Sequence, residues 1–176
     1  LLQSEIEANT PICKDVSTAI ESIRCLRNRL KEIGEGNDFR IGISGTHPTA
    51  SPSEQSFVTN DSYNWVSDQL GYYASRNITF SLHIHVSVDD ADRSIAIMNC
   101  ARRWIPALLA LSTNSPFFDS AKTIMLSSRI MQFGVFPRTN IPVRFKNFSE
   151  YKILIDNYLS IDTIAKPRQI WWKIRP

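Results

Sequence analysis

Over residues 79–88 the chain alternates, with Phe80, Leu82, Ile84, Val86 and Val88 in one register and Thr79, Ser81, His83, His85 and Ser87 in the other. A period of two predicts a half-buried strand, because successive strand side chains point to opposite faces. Weaker alternation over residues 1–10, with Gln3, Glu5, Glu7 and Asn9 opposite Ile6 and Ala8, predicts a short strand, and Phe39, Ile41 and Ile43 predict another. Helical spacing governs much of the rest. Val16, Ile20, Ile23, Leu26 and Leu30 form a stripe with Asp15 or Ser17 as its cap and Gly34-Glu35-Gly36 as its stop. Tyr63, Val66, Leu70 and Tyr73 form a second stripe. Asp89, Asp90 and Asp92 head a third helix through Ile95, Met98, Ala101 and Arg102, which Pro106 either kinks or restarts. Residues 148–159 predict a short helix, and residues 169–175 a strand in which Trp171 and Trp172 face opposite ways. Gly45-Thr46-His47-Pro48 opens a Ser/Pro loop of the kind that carries function, and residues 112–147 are irregular and too long for an idle linker. The order strand, helix, strand, helix, strand, helix indicates an α+β or α/β domain with a central sheet.

With 176 residues, 43% of them hydrophobic, the chain can bury one sizeable core. Its charge of +3, from 20 basic against 17 acidic residues, is too small and dispersed to argue for a nucleic-acid surface. Arg102-Arg103 and the cluster from Arg138 to Lys146 read as solvated edges. No apolar run reaches the roughly 18 residues of a membrane span. Cys13, Cys25 and Cys100 are odd in number and widely spaced, which disfavours a disulfide framework or zinc knuckle and fits a reducing cytoplasm. The start at Leu1 without a methionine and the stop at Pro176 in mid-pattern read as those of an internal fragment.

Several groups could carry chemistry. On a strand, Glu5 and Glu7 would share one face, and paired carboxylates suit Mg²⁺; an edge strand protected by charge explains them equally. His83 and His85, roughly 7 Å apart along a strand, either line a site or decorate a solvent-facing surface. As zinc ligands they would open a metal-dependent amidohydrolase site, for which only His47 remains as a further histidine. Arg129 and Arg175 are candidate clamps for phosphate or carboxylate, which guanidinium binds bidentately, or members of ordinary surface ion pairs. Neither GxxxxGK[ST] nor GxGxxG occurs, so a nucleotide would be held by other means.

Read in order, the glutamate-bearing segment ending in Thr10 and Cys13, then GTHP at 45–48, HIHV at 83–86, ALSTNSPF at 110–117, Thr123 with Ser127-Ser128-Arg129, and WWKIRP at 171–176 resemble the glutamate-cysteine ligase type 2 family. These carboxylate-amine ligases are related to glutamine synthetase. The resemblance covers the whole chain, and the motifs are specific jointly rather than singly. It implies an α+β fold, an antiparallel sheet cradle with flanking helices, of which residues 1–176 are the central part. The domain's N- and C-terminal strands, with further metal-binding glutamates, are expected to lie outside. It also implies that ATP and Mg²⁺ phosphorylate the γ-carboxylate of glutamate and that an amine such as that of cysteine attacks the acyl phosphate. The partners implied are small molecules, with no nucleic acid or membrane, and a homo-oligomer is compatible with the sequence.

By resemblance, Glu7, with Glu5 beside it, matches an acidic metal-site position. His83, His85, Thr46, His47 and Ser115 match the lining of the nucleotide and substrate cavity, and Arg129 and Arg175 match catalytic basic positions. The chain also departs from the family pattern. Lys122-Thr123-Ile124 stands where the family has Asp-Thr-Gly, Ser120 and Asn140 stand at usual glycines, Ser62 precedes Tyr63 where arginine is common, and Lys173 replaces the acid of Trp-Trp-Asp-x-Arg-Pro. Two acid-to-lysine reversals in one site would oppose Mg²⁺ binding. The alternatives are therefore a homologue that binds nucleotide or amino acid without turnover and, on the histidine pair alone, the amidohydrolase.

Overall fold

The computed structural model describes residues 2–56, 58, 64, 67–68, 70–74 and 76–176. They form two compact units, Leu1–Ser44 with Ser51–Phe80, and Gly45–Ala50 with Ser81–Pro176.

The first unit is dominated by helix α1, Val16–Gly36. Asp15 caps it, its carboxylate accepting from the Thr18 amide at 2.8 Å and the Thr18 hydroxyl at 2.7 Å. At the other end the Asn37 amide donates to Gly34 O at 3.2 Å and the Asn37 side chain to Ile33 O at 2.8 Å, closing the last turn as the glycine pair predicts. The strand expected over residues 1–10 is not formed; Gln3 and Ser4 make a turn and residues 5–10 have no regular structure. Leu2 N donates to the Glu5 carboxylate and Glu5 N to Leu2 O, both at 3.0 Å. Of the expected stripe Tyr63, Val66, Leu70 and Tyr73, the first two lie outside the described residues, and Gly71–Tyr73 forms a 3-10 turn.

The second unit carries α2, Ala91–Ala101, and α3, Ile105–Leu111, separated by a 3-10 turn at Arg102–Trp104. Pro106 restarts the helix from its first turn, where the missing N–H has no partner to lose. A hairpin of β1, Phe117–Phe118, and β2, Ala121–Lys122, is followed by α4, Ser128–Gly134, and α5, Phe148–Ser160. Asp90 and Asn147 cap α2 and α5 through the amides of Arg93 at 2.7 Å and Glu150 at 3.0 Å. The core lies between α2 and α5. Ile95, Met98 and Phe145 form one buried cluster and Ile155, Ile164 and Ile170 another, with Tyr151 and Trp172 packed against both. Asn99 fastens Phe145 through both backbone groups, donating to its carbonyl at 2.7 Å and accepting from its amide at 3.3 Å.

The architecture is mixed helix with a small antiparallel sheet, compatible with α+β. Among the described residues the only sheet is the β1–β2 hairpin, so the expected central sheet is corrected. Residues 39–43 and 81–88 form no ladder, and Leu82, Ile84 and Val86 are 72%, 80% and 77% exposed. Alternation fixes which side chains share a face, but a strand also needs a neighbour for its N–H and C=O groups. The strand expected at 169–175 is partly realised. Trp171 N donates to Arg138 O and Lys173 N to Asn140 O, each at 2.9 Å.

The hairpin and its exit carry backbone strain. Asp119 and Ser120 turn the hairpin with φ of 50° and 63°, while Ile124 and Asn140 take 70° and 72°. Ser120, Ile124 and Asn140 are the positions where the resemblance leads to an expectation of glycine, the residue that adopts this left-handed conformation most readily. For the β-branched Ile124 it is a true outlier.

Candidate functional site

Two segments far apart in sequence meet in the second unit. Thr46, only 1% exposed, donates its hydroxyl to Phe117 O at 2.7 Å, and Ser120 donates from N to Pro48 O at 3.0 Å and from Oγ to Thr49 O at 3.2 Å. Gly45 lies against Asn114 and Ser115 so closely that a Cβ there would stand 2.9 Å from Ser115 Oγ. The GTHP loop is thus seated on the ALSTNSPF segment. His47 turns back on its own loop, its Nδ1 accepting from the amides of Thr49 at 3.3 Å and Ala50 at 2.9 Å.

Ser115 also joins this seam to Arg129. Its amide donates to Leu126 O at 3.1 Å, and its carbonyl accepts from Ser128 N at 2.9 Å. Its buried hydroxyl accepts from Arg129 N at 3.3 Å, taking the capping role that Ser127 leaves open at the start of α4. Thr123 hydrogen-bonds Ser128 through their hydroxyls at 2.5 Å and donates to Pro116 O at 3.0 Å. A buried polar network of this kind fixes the backbone from which Arg129 extends. Burial also lowers the proton affinity of the Arg129 guanidinium, whose carbon stands 4.8 Å from the centre of the Phe133 ring.

The C-terminal segment completes this neighbourhood. Phe133 contacts Phe136 at a centroid distance of 5.7 Å, and Phe136 meets Trp171 edge-on at 6.0 Å. Arg138 lies over Trp171 at 5.9 Å. Trp172 instead packs on Phe145 and Tyr151, so the two tryptophans part as the sequence predicts. The Lys173 ammonium has its pKa lowered by partial burial and by the charge of Arg129. Arg138, read from sequence as a solvated edge, is half-buried, its pKa is lowered by desolvation, and its Nε has no hydrogen-bond partner. Spacing alone carries no sign of either placement, since what matters is the return of residues 171–173 alongside 138–140.

Ser115, Thr46, His47 and Arg129 therefore share one connected region. The exposed Arg175 uses its guanidinium locally, donating to Ile170 O at 3.0 Å and Arg168 O at 3.3 Å. His83 and His85 are exposed and stand with ring centres 6.3 Å apart, His83 Nε2 lying 3.1 Å from Ser81 Oγ. Glu5 and Glu7 belong to the first unit. The Glu5 carboxyl has its pKa raised by burial, against the lowering effect of the Leu2 amide, while Glu7 is exposed. No three His, Cys, Asp or Glu side chains come together as a metal site among the described residues. The glutamate pair alone does not fit a Mg²⁺ site, and the histidine pair alone does not fit a zinc site.

The match to known proteins extends along the whole chain. The family model described as glutamate-cysteine ligase family 2 (GCS2) matches residues 1–176. A protein of Solibacter usitatus named "Putative glutamate–cysteine ligase 2" is 37% identical over 174 residues, 99% of this chain and 45% of that protein. A glutamate–cysteine ligase of Haloquadratum walsbyi is 36% identical over 176 residues, all of this chain and 48% of the relative. One from Haloferax volcanii is 33% identical over 176 residues, again all of this chain and 49% of the relative. The chain thus spans about half the length of the curated relatives it matches. By sequence and by extent of match, the chain belongs to glutamate-cysteine ligase family 2.

Proposed function

We propose that this chain supplies part of the active site of an ATP-dependent carboxylate-amine ligase with a glutamine synthetase-like catalytic fold. The reaction joins the γ-carboxylate of glutamate to an amine such as that of cysteine. The observation that carries the reading is the buried network in which GTHP, ALSTNSPF and the start of α4 converge to position Arg129. ATP supplies the phosphoryl group. A γ-carboxylate oxygen attacks the terminal phosphorus and ADP leaves, after which the amine attacks the acyl carbon and inorganic phosphate departs, giving a γ-glutamyl amide. Both steps build negative charge on phosphate oxygens, which a fixed guanidinium stabilises. Ser115, Thr123 and Ser128 hold the backbone at Arg129 in place before the ligand arrives. Thr46, His47, His83 and His85 are assigned to the lining of the cavity. The second catalytic arginine is Arg175, which must exchange its carbonyl partners for substrate. Mg²⁺ belongs to this reading through the family, with Glu5 and Glu7 as the chain's own candidates, which do not by themselves fit the ion.

A second reading is a homologue that binds without turnover. Its support is Lys173, which brings a second cation to Arg129, together with Lys122 on β2. Coupled measurement of ADP release separates the two. Release that requires glutamate, an amine and Mg²⁺ together supports the ligase, whereas ATP binding with no ADP formed from any amino-acid pair supports the binding homologue.

A further inference from the structure

The loop that opens with Gly45 is closed from two sides. From within, the half-buried His47 accepts at Nδ1 from the amides of Thr49 at 3.3 Å and Ala50 at 2.9 Å, two and three residues ahead in the chain. From the hairpin turn, Ser120 donates its amide to Pro48 O at 3.0 Å and its hydroxyl to Thr49 O at 3.2 Å. Both backbone groups of Thr49 are thus held. The imidazole does here what the side-chain oxygen of asparagine or aspartate does in a turn, accepting from amides just ahead of it. That pattern constrains the proton. A ring nitrogen that carries hydrogen has no lone pair with which to accept, so Nδ1 is bare and the hydrogen of the neutral ring sits on Nε2. A proton added at Nδ1 would face two N–H groups and leave both amides without their acceptor.

We propose that His47 is a positioning residue, locked as the Nε2–H tautomer, which shapes residues 47–50 and takes no part in proton transfer. The mechanistic consequence rests on the ligase reading; the tautomer and the shaping of the loop do not. An amine that attacks an acyl phosphate must give up a proton, and a histidine in the lining of the cavity is the side chain first expected to take it. His47 has no lone pair free for that task, because Nδ1 is engaged by two amides and Nε2 carries the hydrogen. Its contribution is to the shape of a loop whose first residue, Gly45, lies against Asn114 and Ser115.

Nitrogen-15 NMR of the histidine rings, recorded in mildly alkaline solution where the rings are neutral, reads the tautomer without requiring turnover. The His47 signals are identified by their loss in His47→Asn. Nδ1 is expected as the unprotonated nitrogen and Nε2 as the protonated one, with no averaging between tautomers. Two variants then separate shape from chemistry. His47→Asn supplies an oxygen that can accept from the same amides, so its urea midpoint, and kcat for ADP formation, should stay close to those of the wild type. His47→Ala leaves both amides unpaired and should shift the folding equilibrium by about tenfold, with kcat falling alongside. A proton found on Nδ1, or two tautomers in exchange, overturns the proposal, as does a His47→Asn protein no more stable than His47→Ala. A His47→Asn protein that keeps wild-type stability but loses kcat shows the ring acting on substrate and overturns it as well. In a protein that never forms ADP the ligase reading fails by itself, and the tautomer and the rescue of stability by asparagine decide this proposal.

Discussion

Replacing Gly45 by alanine tests whether the GTHP loop is seated on Ser115. An added Cβ would lie 2.9 Å from Ser115 Oγ, 3.0 Å from Asn114 Oδ1 and 3.1 Å from Ser115 Cβ. Ser115 is 2% exposed and tied at its amide, carbonyl and hydroxyl, so it cannot swing aside cheaply. Overpacking of this kind destabilises by about 1–3 kcal/mol. Ser115→Ala alone removes the acceptor of the Arg129 amide, at about 1 kcal/mol. In the double variant the shortest contact disappears while those to Asn114 Oδ1 and Ser115 Cβ remain, so the combined loss should fall short of the sum by at least about 0.5 kcal/mol. Urea unfolding followed by tryptophan fluorescence reads this directly, because Trp104, Trp171 and Trp172 all lie in the unit concerned. Strict additivity, or a Gly45→Ala protein as stable as wild type, would refute the packing argument.

Further outcomes follow from other parts of the molecule. Ile124 is 91% exposed and left-handed, so Ile124→Gly forfeits little burial. It should raise stability by about 0.5–1 kcal/mol, the relief of strain less the added freedom of the unfolded chain; a loss of stability in urea unfolding contradicts the strain. Hydrogen bonds from the Thr18 amide and hydroxyl hold the Asp15 carboxyl below its ordinary pKa of 3.8. Its contribution is therefore complete above that value and lost as pH falls through the lower folded one. Asp15→Ala should reduce α1 stability at pH 7, read by circular dichroism, with the difference narrowing in acid; an undiminished difference below the carboxylate range contradicts the cap. His83→Ala and His85→Ala should leave unfolding within about 0.5 kcal/mol, as exposed substitutions do, yet lower the ligase rate. Full rates in both variants would make the pair surface decoration.

Helices were legible because their signals are local. Asp15, Asp90 and Asn147 each accept from an amide three residues on, and Pro106 marks a restart. Strands were not, because the alternation at 81–88 says which side chains share a face and nothing about what lies alongside. Within the site, Thr46, His47, Ser115 and Arg129 were recognisable from their motifs, but the contact of Gly45 with Ser115 depends on a 70-residue closure that no spacing encodes. Arg138 reads from sequence as a solvated edge and Lys173 as a departure from a pattern, because only the pairing of two irregular segments, 138–140 and 171–173, sets Arg138 over Trp171. The glycine departures, by contrast, had a physical meaning already present in the sequence. Ser120, Ile124 and Asn140 all occupy the left-handed conformation that glycine would accept without strain.

The central claim is that a carboxylate oxygen of glutamate attacks ATP. Glutamate labelled with ¹⁸O in its γ-carboxylate, incubated with the protein, ATP, Mg²⁺ and an amine, reports that step by mass spectrometry of the released phosphate. The ligase account predicts one ¹⁸O atom transferred to inorganic phosphate for each amide formed, with the other retained in the γ-glutamyl product. Amide formed with unlabelled phosphate, or no phosphate released under these conditions, would contradict it.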